Sequence, residues 1–220
     1  MSTTDRRQRH RASLRREILD AASQLFVEEG YHRLTMRRLA ERIEYSPTTI
    51  YLYFKDKNEL LGAVCEETFS RLAGKLERLQ KAAGTPTGHL RDGLRTYIEF
   101  GLAHPNQYLV TFMSRNPGKD GGSFEGSAGS RAFDALRQSV RACSENGDIY
   151  TADVEVTAQA LWAGVHGVTA LFITMKGFPF VASAALVEHT IDILTAGLKT
   201  PAATPRTPAQ SQSKKWDFFD

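Results

Sequence analysis

Arg37, Arg38 and Arg42 supply guanidinium groups, and Ser46, Thr48 and Thr49 supply hydroxyls, all within Thr35–Lys57 (TMRRLAERIEYSPTTIYLYFKDK). Such groups pair with phosphates and donate to base edges, so their chemistry is recognition of an anionic polymer. Between them Leu39, Ala40, Ile43, Tyr45, Ile50 and Tyr53 are apolar or aromatic, at spacings that let two crossed helices share a small core. A buried seam behind a basic, hydroxyl-rich face is what a helix-turn-helix needs to enter a DNA major groove. Nothing comparable supports catalysis. His89, His104, His166 and His189 have no paired metal-ligand spacing. Gly121–Gly126 lacks both the Lys-Ser/Thr and the preceding strand of a phosphate loop. No enzyme activity, cofactor or metal site is expected.

Composition allows one sizeable core or two small ones in 220 residues, with 41% hydrophobic and 24% charged content. Net charge is +3, and all of the excess lies in residues 1–60, beside the candidate reading helix. That placement favours an anionic partner at this end. Cys65 and Cys143 lie in helical patterns and read as free core thiols of a reducing compartment rather than a disulfide. No apolar run follows the N-terminal arginines, so a secretory signal is not expected and the cytoplasm is.

The elements that must hold the reading face follow in order. Residues 1–12 carry Arg6, Arg7, Arg9 and Arg11 with nothing apolar to bury. They are expected to be disordered, as a solvated leader or as an arginine arm for the minor groove. Helix 1 is expected from the cap Ser13, with Leu14, Ile18, Ala21, Ala22, Leu25 and Phe26 on one face and a stop at Gly30. Thr35 caps helix 2, where its hydroxyl and the free N–H groups suit a phosphate. Ser46 caps helix 3, with Pro47 at its first position. Longer helices are expected at about Lys57–Ala83, Thr87–His104, from Pro105, at Ser130–Glu145, over Val156–Met175 and at Ala182–Leu198. Asn116–Ser130 is Gly/Ser-rich and reads as a loop, and 199–220 as a disordered tail.

Helix 1, LTMRRLAERI, a turn, SPTTIYLYF and KDKNELL together resemble the N-terminal domain of the TetR family of transcriptional regulators. LAHPNQYLVTFM, and Trp162, His166 and Gly167 within LWAGVHGVTAL, resemble the WHG-type C-terminal domain of that family. The resemblance implies an all-α protein of about nine helices, with a helix-turn-helix domain at 13–60 and a ligand-binding, dimerising bundle at 61–198. It implies DNA contacts from Ser46, Pro47, Thr48 and Thr49, phosphate contacts from Tyr51 and Lys57, and an aromatic cluster at Tyr53 and Phe54. With Thr35, Arg37 and Arg38, these residues other than Phe54 make the expected DNA-binding set. One departure stands in the turn, where Glu44 replaces the usual Gly. A left-handed backbone there costs roughly 1 kcal/mol or more for a non-Gly residue.

Val156–Met175 contains no Asp, Glu, Lys or Arg and is long enough to span a bilayer. It also holds Gln159, His166 and three threonines, and an all-round apolar helix equally suits the centre of a bundle or dimer. No membrane association is expected. This helix and the last one are the expected homodimer interface, with Phe172 and Leu194 in it. Tyr97, Phe100, Phe112, Trp162, His166 and Phe172 are the candidate lining of a small-molecule pocket, with a hydrogen-bonded core histidine as the other reading of His166. The function expected is a ligand-responsive dimeric repressor, released from a palindromic double-stranded operator by an unknown small-molecule effector. The competing reading is a helical enzyme or membrane-associated protein whose first 60 residues only mimic such a head.

Overall fold

Six of the helices start where a short polar side chain takes the place of a missing carbonyl. Thr35, Ser46, Asp56, Thr85, Ser127 and Asp153 each accept a backbone N–H from two or three residues further on. A computed structural model describes residues 3–113 and 126–199, and among these the chain is all-α. The order is α1 (Thr3–Arg33), α2 (Met36–Arg42), α3 (Pro47–Tyr51), α4 (Lys57–Lys81), α5 (Pro86–Ala103), α6 (Pro105–Met113), α7 (Ala128–Glu145), α8 (Val154–Thr174) and α9 (Ser183–Ala196). Residues 116–125 of the expected loop Asn116–Ser130, the Gly121–Gly126 spacing but for Gly126, and the tail beyond residue 199 lie outside the described residues. Ala128–Ser130 are not loop but the first turn of α7, which starts earlier than expected because Ser127 caps it.

The N-terminal arm is a correction. Residues from Thr3 onward continue α1 rather than forming a disordered leader, although Asp5–Ser13 are all exposed. Once Leu14–Leu25 have nucleated the helix by packing, each added residue gains a hydrogen bond at little cost. Asp5 in the first turn suits the helix dipole, and Arg9 Nε donates to the Asp5 carbonyl. Gly30 interrupts α1 with φ 79°, and a last turn to Arg33 follows.

Two main cores result. The first gathers α1, α2 and α3 with Leu60, Leu61 and Val64 of α4 and Val110 of α6. The second joins α5, α7, α8 and α9 around Leu94, Ile98, Val140, Leu161 and Ile191. Since Leu61, Val64 and Val110 belong to the first core, the reading head is not packed as a unit separate from the body. α4 runs from the first core into a smaller cluster, where Leu72, Ala73 and Leu76 meet Phe100, Ala132 and Ala135, and it packs along α7.

Val154–Thr174 is long and apolar enough to cross a membrane by length and composition. In this fold Ala158, Leu161, Val165, Val168, Thr169 and Ile173 turn inward. Its other face leaves Val156 and Leu171 exposed, as Ile193 of α9 is too.

Candidate nucleic-acid interface and buried cavity

The turn between α2 and α3 takes the conformation that its sequence resists. Glu44 has φ 58°, the one positive φ at a non-Gly residue among those described. Tyr45 N–H donates to the Ala40 carbonyl at 2.9 Å and Glu44 N–H to the Glu41 carbonyl at 3.4 Å. This is the Schellman closure of a helix, usually built on glycine. It seats Ile50, fully buried, against Leu39 and Ala40.

With Ile50 anchored, α3 turns Ser46, Pro47, Thr48 and Tyr51 to solvent. Ser46 Oγ accepts the Thr49 N–H at 3.2 Å and lies 3.0 Å from Thr49 Oγ1, so both hydroxyls are held in place. Thr35 Oγ1 likewise accepts the Arg38 N–H. Arg37 points outward and, among the described residues, pairs with Glu41 one turn on. Such an exposed pair is worth little and leaves the guanidinium available.

Three expected DNA contacts are engaged elsewhere. Arg38 bonds Glu29 at 2.7 Å and, with the Arg42–Glu28 pair, ties α2 to α1. Lys57 Nζ donates to the Tyr31 carbonyl at 2.8 Å and sits 3.7 Å from the Tyr31 ring centroid. Burial there pulls its ammonium below the ordinary lysine range. Its geometry is that of a bolt between α1 and α4, not of a free phosphate clamp. Tyr53 is half-buried against the first core, with Arg11 over its ring. Lys55 was missed by sequence reasoning. Its side chain is 83% exposed just past α3, and the alternation of Lys55 and Lys57 was the available signal.

In the body, α4, α5, α6, α7 and α8 line a partly open cavity of about 530 Å³. Of the expected pocket residues, Tyr97, Phe112 and Trp162 line it together. The other three do not. Phe100 points between α4 and α7, packed with Leu72 and Leu76. Phe172 packs within the second core and against Phe180. His166 lies one layer behind the wall, stacked on Tyr108 at 5.5 Å. Its Nδ1 lies 3.0 Å from Tyr97 Oη and 2.7 Å from Tyr108 Oη, while Trp162 Nε1 donates to Tyr97 Oη at 3.2 Å. Burial holds the imidazole below its ordinary pKa and pushes the Tyr97 phenol up to about 12. The single lone pair of a neutral ring at Nδ1 takes one phenol proton, and Tyr108 Oη also lies 3.2 Å from the His166 carbonyl, which can accept its proton while Nδ1 accepts from Tyr97. Sequence reasoning missed the polar lining, Gln80, His89, Ser139, Arg137, Glu155 and Gln159, because these residues lie on four different helices.

Helix α6 joins the first core to the cavity wall. Tyr108 and Phe112 face His166, while Val110 is buried in the first core and Gln107 Nε2 donates to Asp20 of α1 at 3.1 Å. Leu194, expected at a dimer interface, instead fills the space above Gly164 within the same chain.

Comparison with known proteins fits this arrangement. The model described as "Bacterial regulatory proteins, tetR family" matches residues 18–64, and that described as "Tetracyclin repressor-like, C-terminal domain" matches 90–194. The HTH-type transcriptional repressor Rv1474c of Mycobacterium tuberculosis is 34% identical over 99 residues, 45% of this chain and 46% of that protein. The HTH-type transcriptional repressor KstR of Mycolicibacterium smegmatis is 38% identical over 72 residues, 33% of this chain and 35% of that one. The chain thus spans less than half the length of these curated relatives. The crystal structure of FadR from Bacillus subtilis in complex with stearoyl-CoA shares the fold, with TM-score 0.68 and 20% identity over 83% of this chain and 98% of that one. With a reading head matched by one family model and the cavity-bearing bundle by the other, the chain belongs to the TetR family.

Proposed function

We propose that the protein is a dimeric, cytoplasmic DNA-binding transcriptional regulator, and not an enzyme or membrane protein, released from a palindromic operator by a small molecule held in the bundle cavity. The observation that carries this reading is α6, which is shared between the cavity wall and the core of the reading head. A ligand that displaces Phe112 must move Val110 or distort α6, and either outcome bears on α1. Such a ligand shifts the population of head positions by its differential affinity for the two states. The Trp162, His166 and Gly167 signature then serves to lock α8 onto α5 and α6 through the tyrosine–histidine bonds.

Ser46, Pro47, Thr48 and Tyr51 are assigned to the major groove and its phosphates, with Thr35, Thr49, Arg37 and Lys55 beside them. Arg6, Arg7, Arg9 and Arg11, on the helical extension of α1, reach flanking phosphates. The dimer forms through α8 and α9, where Val156, Leu171 and Ile193 leave an apolar strip uncovered and Ala160, Ala163 and Gly167 permit close approach. Fragments of the source genome selected by the protein, followed by anisotropy titration, test the reading. One dimer per duplex over a roughly two-fold symmetric site is expected. Failure to enrich any sequence, or saturation by single subunits, overturns it.

A further inference from the structure

The cavity is chemically polarised along its length. α4 contributes from Phe69 to Gln80, a span of about 16 Å at the rise of an α-helix. At the end near α6 the wall is Phe69, Phe112, Tyr97 and Trp162. At the far end, where α4 and α7 finish and α5 and α8 begin, it is Gln80, His89, Ser139, Arg137, Glu155 and Gln159. Every charged lining residue is at this far end.

The charge there is unusual for a site that would take an anion. Arg137 is the single Lys or Arg among the lining residues, and it is bonded by both Asp134 and Glu155. Two carboxylates on one guanidinium leave the corner net negative. Glu155 also accepts from Gln159 Nε2 at 2.8 Å, and Gln80 Nε2 donates to the Ala135 carbonyl at 2.6 Å. Among the described residues, two buried side-chain nitrogens at this end have no partner, Arg137 Nε and His89 Nε2. An unpaired buried donor is costly and is ordinarily met by an acceptor.

Resting on the effector reading above, we infer that the ligand is an elongated, uncharged amphiphile. It has an apolar body toward α6 and one hydrogen-bond acceptor, such as a ketone or ester carbonyl, at the Arg137 corner. A carboxylate head at this corner meets Glu155 and an Arg137 already shared with Asp134, without a free cation to offset the charge. The phosphates of a coenzyme A thioester meet the same corner. A neutral carbonyl takes the Arg137 Nε–H and adds no charge to the corner.

The test is calorimetric titration of the full chain with decyl methyl ketone, progesterone, dodecanoate and dodecanoyl-CoA. At least one ketone should bind about tenfold or more tighter than either anion, equivalent to about 1.4 kcal/mol. In the Asp134→Asn, Glu155→Gln double variant, with Arg137 freed, dodecanoate should gain about tenfold relative to the ketone. Either anion matching both ketones in the wild type, or no binding of either ketone, overturns the proposal. DNA affinity measured separately keeps the two readings apart. A ketone that binds tightly but leaves DNA affinity unchanged supports the ligand class and contradicts its regulatory role.

Discussion

Replacing Glu44 by glycine should make the reading head more stable, which is the reverse of the effect of glycine inside a helix. At φ 58° Glu44 closes a Schellman turn. The left-handed conformation costs an L-residue roughly 1–2 kcal/mol. Glycine has no Cβ to strain, but it costs about 0.5–1 kcal/mol more backbone entropy on folding. The net expectation for Glu44→Gly is stabilisation of about 0.5–1 kcal/mol. For a chain of this size that corresponds to roughly 2–3 °C in Tm. Glu44→Ala keeps the strain and should change stability by only a few tenths of a kcal/mol. Glu44→Val adds a β-branch in a disfavoured region and should destabilise. Urea denaturation with a reporter in the head, run on all three variants, gives the ordering. DNA affinity of Glu44→Gly should stay within about twofold, since glycine accepts the backbone already present. If Glu44→Gly proves neutral or destabilising while Glu44→Ala is unchanged, the turn is not strained in the way its φ implies.

Other expectations are independent of the turn. Ile193→Asp, or Leu171→Asp, should give monomers by light scattering, because both side chains lie exposed on the strip left by α8 and α9; a variant that remains dimeric removes that strip from the interface. Deleting residues 3–11 should reduce the salt dependence of DNA binding by about one unit of slope for each phosphate that the arginines no longer neutralise; since no residue from Asp5 to Arg11 is buried, the melting temperature should hold. His166 has a folded-state pKa below its unfolded value, so the unfolded chain binds the extra proton and stability falls as pH drops through about 6.5. Burial holds the His104 imidazole down as well, so His166→Asn should make that limb shallower without removing it, and an unchanged pH dependence would exclude the His166 imidazole as a source. Gly101→Ala should destabilise by about 1–3 kcal/mol, because an added Cβ would lie 2.5 Å from Thr169 Cγ2 and 3.0 Å from the Tyr108 ring.

How much of this was legible in the sequence depended on how local the controlling physics is. Helix starts were readable at Thr35, Ser46 and Pro47 because a cap acts through its own backbone neighbours. The strained turn could be located at Glu44 for the same reason. The helical arm was not readable: its order follows from continuation of a helix nucleated elsewhere, not from any apolar residue of its own. Lys57 was assigned to phosphate by its position in a motif, whereas the carbonyl and ring that hold it belong to Tyr31, 26 residues earlier. The cavity was half legible. Tyr97, Phe112 and Trp162 declared themselves as aromatics, but Phe100 and Phe172 are equally aromatic and turn into other cores. The polar corner around Arg137 depends on the register of α7 against α8, which no single stretch encodes.

The central claim is that the cavity and the reading head are coupled through α6, and filling the cavity tests it most directly. Ala132 is buried on the cavity wall, and Ala132→Trp places an indole there without touching any proposed DNA contact. The affinity of this variant for a duplex selected by the wild type is the measurement, made on protein shown to be dimeric and cooperatively folded. The account predicts a loss of about tenfold or more, equivalent to about 1.4 kcal/mol. A folded, dimeric Ala132→Trp protein that binds the duplex as tightly as the wild type would contradict it.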